Sequence, residues 1–245
     1  GKLFSKKNSF GIFDFSKKVR KIFLDVEKFH RAQKYFLKCS PEANMRKAMR
    51  IFSKTPVAVA AFFRVRKGKK IITPKKNLSF SENFFHMCFG RVPNKEIVKA
   101  FDVSLILYAE HSFNVSTFTA RTITSSLSDI YGAITGAIAS LKGPLHGGAN
   151  EEVMHMMKKI KTPDKAKSWL IDNLNKKQVV MGFGHRVYKS GDSRVPTMKK
   201  YFLKVSKLKK DKNLHKISEI IEKEMLEKKN IHPNLDFPTG PTYHL

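Results

Sequence analysis

Apolar residues recur at three- and four-residue spacing along almost the whole chain, and stretches alternating in the two-residue period of a strand are scarce. Leu214, Ile217, Ile221 and Met225 fall on one helical stripe, and Ile97, Phe101 and Leu105 on another. Gly, Pro, Asn and Thr stand between such segments as punctuation. Each stripe has to be buried against another helix, so the expected fold class is all-α. The 245 residues suffice to bury a sizeable core, as one large domain or two small ones. With 41% hydrophobic and 11% aromatic content, the chain is too apolar to be disordered, although Lys plus Arg outnumber Asp plus Glu by 48 to 20.

The punctuation sets the expected elements. Residues 45–66 carry a helical pattern that Pro56 should bend or split. Ser79 or Ser81 can cap a short helix bearing Phe80, Phe84 and Phe85, and Asn94 caps the next. Residues 115–141 read as one long segment rich in small residues, among them Gly132, Ala133, Gly136, Ala137 and Ala139. A helix of the same or of a second subunit could approach that surface closely. Residues 143–150 form a sharp turn feeding a helix over 151–160, and Thr162 and Pro163 begin another with Trp169, Leu170 and Leu174 facing inward. A glycine-bearing loop at 181–188 precedes two lysine-rich helices, over 195–208 and 214–228. In 233–241 the prolines are expected to exclude regular structure. Residues 1–40 mix lysines with seven phenylalanines and read as a helix packed on the body in preference to a basic surface arm.

The formal charge of +28 fits lysines coating solvated helix faces, with a polyanionic partner, coenzyme or nucleic acid, as the functional alternative. Only Cys39 and Cys88 occur, which excludes a disulfide framework or a paired metal knuckle and points to a reducing cytoplasm. The apolar stretch at 56–63 is far too short to span a bilayer. Nine histidines show no metal-ligand spacing, and His86 near Cys88 reads as core packing, so no metal is expected.

Three loops each present one titratable residue amid glycines or prolines: His146, His185 and Asp236. Loops on a rigid scaffold are where catalytic groups concentrate. On spacing alone, a histidine beside glycines is more often a turn residue than a catalyst, and a lone aspartate before Phe-Pro is more often a cap.

The full strings narrow that choice. Gly143-Pro144-Leu145-His146-Gly147-Gly148-Ala149-Asn150, then Gly182-Phe183-Gly184-His185-Arg186-Val187-Tyr188 with Asp192-Ser193-Arg194, then Pro233-Asn234-Leu235-Asp236-Phe237, resemble in order and separation the signature segments of the citrate synthase family. Tyr108-Ala109-Glu110-His111 with Asn114-Val115-Ser116-Thr117 resembles a fourth, and the likeness runs from about residue 42 to the end. It implies a homodimeric, two-domain, almost entirely helical enzyme that condenses an acyl-CoA with oxaloacetate. Residues 1–146 would belong to the large domain, 147–236 to the small domain, and 237–245 to the return into the large one. By motif, His111 and Arg194 would hold the oxo acid, His146 the thioester carbonyl and His185 the ketone oxygen, with Asp236 as base. Lys189 and the backbone around Val180, Met181, Gly182 and Phe183 would lie near the coenzyme. No cofactor would be bound permanently; the coenzyme A thioester is a substrate.

Those residue types suit that chemistry. The α-carbon of a thioester is a very weak acid, and each unit of pKa mismatch costs about 1.36 kcal/mol, so Asp236 needs an electrophilic partner. An imidazole N–H from His146 would stabilise the charge developing on the thioester oxygen, and His185 would protonate the ketone oxygen as the bond forms. The planar fork of Arg194 matches a carboxylate. Ser193 stands where the family usually has proline. The family's N-terminal region and the arginine-bearing segment after the aspartate loop are not in this sequence, so the 245 residues are expected to be a piece of a longer enzyme. The segments at 194–199 and 236–241 are closer to the branch that includes 2-methylcitrate synthases, and one methylene is worth only about 1–3 kcal/mol in an apolar pocket, so acetyl- and propionyl-CoA are both expected substrates. The rival expectation from another class is a basic nucleic-acid-binding helical protein, and a third is an inactive piece of the synthase.

Overall fold

A computed structural model describes residues 40–109, 114–185, 188 and 190–245; the aromatic, lysine-rich first 39 residues, His111 and Lys189 lie outside the described residues. Among the described residues there are ten helices and no strand. In chain order they are α1 Pro41–Arg66, α2 Phe80–Phe89, α3 Lys95–Ala109, α4 Val115–Ser125, α5 Ile130–Leu141, α6 Ala149–Ile160, α7 Pro163–Asn175, α8 Val195–Lys209, α9 Asn213–Lys229 and α10 Asp236–His244. None is long and apolar enough to cross a membrane.

Short polar side chains set where these helices start. Ser79 accepts the Glu82 N–H while the Glu82 carboxylate accepts the Ser79 N–H, a reciprocal cap for α2. Asn94 Oδ1 accepts the Glu96 N–H at 2.8 Å at the head of α3. Pro56 does not split the first segment, because α1 runs unbroken through it. Its missing N–H costs one backbone bond, while packing on α2 and α5 holds the helix on both sides of it.

Two expectations fail here. Residues 115–141 are two helices, because Leu127 turns left-handed at φ 64° and Asp129 Oδ1 then caps a new start by accepting the Tyr131 and Gly132 N–H groups at 2.8 and 2.9 Å. The small residues of α5 are met by α4 of the same chain, which packs along it. The proline-rich end is also a helix, α10. Pro238 sits in its first turn, where the N–H needs no partner, and Pro241 removes one bond further on. The Thr239 and Thr242 hydroxyls donate to the Leu235 and Pro238 carbonyls, each at 2.7 Å, and residues 237–242 are all buried.

The larger core gathers Val153, Met157 and Ile160 of α6, Ala166 and Leu170 of α7, Ile217, Ile221 and Met225 of α9, and Phe237 of α10. Full burial stabilises each large apolar side chain by about 1.5–3 kcal/mol. Trp169 and Leu174 pack against the same cluster, as their spacing predicts. A second cluster joins Ala60 of α1 to Met87 and Cys88 of α2, and burial pushes the Cys88 thiol above its ordinary pKa. Helix α10 packs on α6 and α8, and α8 on α3, so residue 236 lies where those elements meet.

Candidate active site

His146 sits in the turn between α5 and α6. Its N–H donates to the Gly143 carbonyl at 3.0 Å, and its own carbonyl accepts the Ala149 N–H at 2.9 Å. The half-buried ring is held from α4: the Ser116 backbone N–H donates to Nε2 at 3.1 Å. A backbone N–H can only donate, so the neutral ring carries its proton on Nδ1. The Ser116 hydroxyl stands 2.9 Å from both Nε2 and Asn114 Oδ1, with one proton to share between them.

At His185 the ring is held the opposite way. Its Nδ1 accepts the Tyr188 N–H at 3.4 Å, which leaves the proton on Nε2. The Tyr188 ring lies 4.7 Å from the imidazole, and the Arg194 guanidinium lies over that same ring at 5.2 Å.

Arg194 is already engaged. Nε and one Nη donate to the two oxygens of Asp192, at 2.9 and 2.7 Å, and the other Nη donates to the Leu107 carbonyl at 3.3 Å. Burial alone would raise the Asp192 pKa; the Arg194 hydrogen bonds outweigh it and hold the carboxyl below its ordinary value. Burial likewise works against the guanidinium's charge, and Asp192 outweighs it, raising the Arg194 pKa.

Asp236 is the first residue of α10, where the helix dipole favours an anion. Its N–H donates to Asn234 Oδ1 at 3.1 Å, and the Tyr108 phenol, from the end of α3, donates to its Oδ1 at 2.6 Å. Burial first, and then the Asp236 charge, push the Tyr108 phenol well above its ordinary pKa, so it remains a donor.

Contacts between the loops draw these groups together. Residues 182–184 and 232–234 pair through Gly184 N–H to the His232 carbonyl at 2.9 Å, Asn234 N–H to the Gly182 carbonyl at 2.9 Å, and Asn234 Nδ2 to the Gly184 carbonyl at 3.0 Å. Gly182 has φ 85°, and a Cβ there would come within 2.9 Å of Phe237 Cβ, so the close approach needs glycine. Leu235 N–H donates to Asp192 Oδ2 at 3.1 Å, tying the Arg194 loop to the residue before Asp236. On the side of His146, α10 lies so close to α6 that a Cβ on Gly240 would stand 2.5 Å from the Asn150 carbonyl oxygen. The Tyr108 hydroxyl also meets the Asn150 and Thr239 side chains.

His185, Arg194 and Asp236 thus sit on segments joined by hydrogen bonds, and His146 sits on the turn leading into α6, on which α10 packs, whereas His111 and Lys189 fall outside the described residues. The Val180, Met181 and Phe183 side chains pack into the larger core, so this segment has its backbone to offer a ligand. Sequence reading missed Tyr108, Ser116 and Asn234 as partners. The first two flank the His111 segment and the third precedes Asp236 by two, yet no local pattern says which ring or carboxylate each one meets. Among the described residues no three of His, Cys, Asp and Glu cluster as a metal site requires.

The family model for the citrate synthase C-terminal domain matches residues 13–245. The chain is 52% identical over 204 residues to a citrate synthase of Mycolicibacterium smegmatis, a match covering 83% of this chain and 54% of that protein. It is also 52% identical over 203 residues to a 2-methylcitrate synthase of Mycobacterium tuberculosis, covering 83% and 52%. The structure of citrate synthase from Thermoplasma acidophilum in ternary complex with carboxymethyl coenzyme A and oxaloacetate superposes with a TM-score of 0.80 at 33% identity, over 87% of this chain and 57% of that one. The chain therefore spans about half the length of the curated relatives it matches. With a family model covering nearly all of its residues, the chain belongs to the citrate synthase family.

Proposed function

We propose that the protein carrying this chain condenses acetyl-CoA or propionyl-CoA with oxaloacetate, giving citrate or 2-methylcitrate and free coenzyme A. The observation that carries the reading is the way the two histidine rings are anchored: Nε2 of His146 and Nδ1 of His185 each accept a backbone N–H, so the proton of each neutral ring lies on its other nitrogen. His146 Nδ1–H donates to the thioester carbonyl as Asp236 takes a proton from the α-carbon. The enolate so formed, held by that hydrogen bond, attacks the ketone carbon, and His185 Nε2–H gives its proton to the ketone oxygen as the carbon-carbon bond closes. Water then cleaves the thioester, releasing coenzyme A and the tricarboxylate.

Arg194, with His111, holds the oxo acid. Since Asp192 occupies the Nε edge, the oxo acid's carboxylate meets the remaining N–H groups of the guanidinium, whose plane is already fixed. Lys189 and the backbone of 180–183 receive the coenzyme. The expected division into a large domain through 146, a small domain over 147–236 and a return at 237–245 belongs to the same reading, as do a homodimer and a cytoplasmic site. Relatives of both kinds at 52% identity support use of either acyl chain.

The test is release of free thiol from each acyl-CoA in the presence of oxaloacetate, with Asp236→Ala as the variant. Turnover should depend on both substrates and vanish in the variant; near-normal turnover without Asp236 refutes the assignment of the base.

A further inference from the structure

Asp236 lies at a helix start, where its N–H is held by Asn234 Oδ1, a contact to the backbone and not to the carboxylate. Polar contacts join α3 to α10 at two points, at Tyr108, whose hydroxyl meets Asp236 and Thr239, and at Ser104. At the first, Tyr108 OH donates to Asp236 Oδ1 at 2.6 Å; at the second, the Ser104 and Tyr243 hydroxyls meet at 2.7 Å one turn back along α3. Only the first reaches the reactive carboxylate.

We propose that Tyr108 is a positioning residue for the base: by holding Oδ1 it fixes the plane in which the carboxylate meets the acidic C–H. The inference rests on the reading of Asp236 as base and adds a residue to it. The bond has the short length of a charge-assisted O–H···O⁻ contact. Such a donor stabilises the carboxylate anion and so makes it a weaker base. A base that is already weak gains nothing from that; what the contact supplies is orientation, and a misplacement of about 1 Å can cost ~10²-fold in rate. The phenol is suited to the task because burial and the adjacent carboxylate both keep it protonated. After proton transfer Oδ1 can still accept from Tyr108, so the contact persists in both states of the base.

The experiment uses the protein that carries this chain. It measures steady-state kinetics and the exchange of α-hydrogens on acetyl-CoA with deuterium from solvent, in the presence of an oxo acid analogue that cannot condense. Tyr108→Phe, which keeps the ring and deletes the hydroxyl, should lower kcat and the exchange rate together by roughly 10- to 100-fold while both KM values hold. Ser104→Ala, which cuts the neighbouring link without touching Asp236, should leave the exchange rate unchanged. An exchange rate untouched by Tyr108→Phe, in a protein where Asp236→Ala abolishes exchange, overturns the positioning role alone. Equal losses from the two link variants also overturn it, because the effect is then one of helix packing. Exchange that survives Asp236→Ala overturns the inference together with the assignment of the base.

Discussion

Replacing Asp192 by Ala puts a buried polar node of the structure to the test. The Asp192 side chain is wholly buried and accepts four hydrogen bonds, from Arg194 N, Nε and Nη2 and from Leu235 N. Bonds to a charged group are worth about 1.5–3 kcal/mol each, which for four donors gives a ceiling of roughly 6–12 kcal/mol. The real loss is smaller, because the Arg194 side chain is 12% exposed and can turn towards water, while the buried Leu235 N–H has no such escape. Removing one partner of a buried pair costs about 3–5 kcal/mol, and that is the expected loss. At roughly 2–4 °C per kcal/mol for a chain of this size, thermal unfolding followed by circular dichroism should show a midpoint lower by about 6–20 °C. The gap should also depend on pH with a definite sign. The folded-state pKa of Asp192 lies below the unfolded value, so its contribution is whole above about pH 4 and is lost as the pH falls through the folded-state value. The melting gap between the two proteins should therefore hold steady at neutral pH and close in acid. A fall of less than ~2 °C at neutral pH would mean that the four contacts carry no net stability, and the reasoning fails.

Two further outcomes follow from packing. Gly240→Ala drives a Cβ to 2.5 Å from the Asn150 carbonyl oxygen, a backbone atom that cannot swing aside, and should destabilise the chain by about 1–3 kcal/mol, read as a denaturant midpoint shift at constant m. Leu170→Ala empties a fully buried position between α7 and its neighbours and should cost about 2–5 kcal/mol in the same assay; a loss under 1 kcal/mol would mean that the site collapses freely.

Much of the helix framework is written locally. The Ser79 and Asn94 caps, the Pro163 start and the stripe of Ile217, Ile221 and Met225 all depend on residues a few positions apart, and sequence periodicity reads them. What was illegible is decided from a distance. A run with Pro238 and Pro241 folds as α10 because α6 and α8 bury it and two threonine hydroxyls bond the carbonyls beneath them, neither of which local propensity contains. The 115–141 run hid a break because its small residues are equally at home on both sides of Asp129. In the candidate site the reactive types stood out by their glycine- and proline-rich strings. Their holders did not, since Ser116 meets His146 across 30 residues and Tyr108 meets Asp236 across 128.

The stitching of 182–184 to 232–234 has a use beyond holding shape. Two backbone bonds and one from an amide side chain join the segment before residue 185 directly to the segment before residue 236, so a ligand that shifts one of them is expected to shift the other. A single nuclear or vibrational label on either segment should consequently register a ligand that touches only the other.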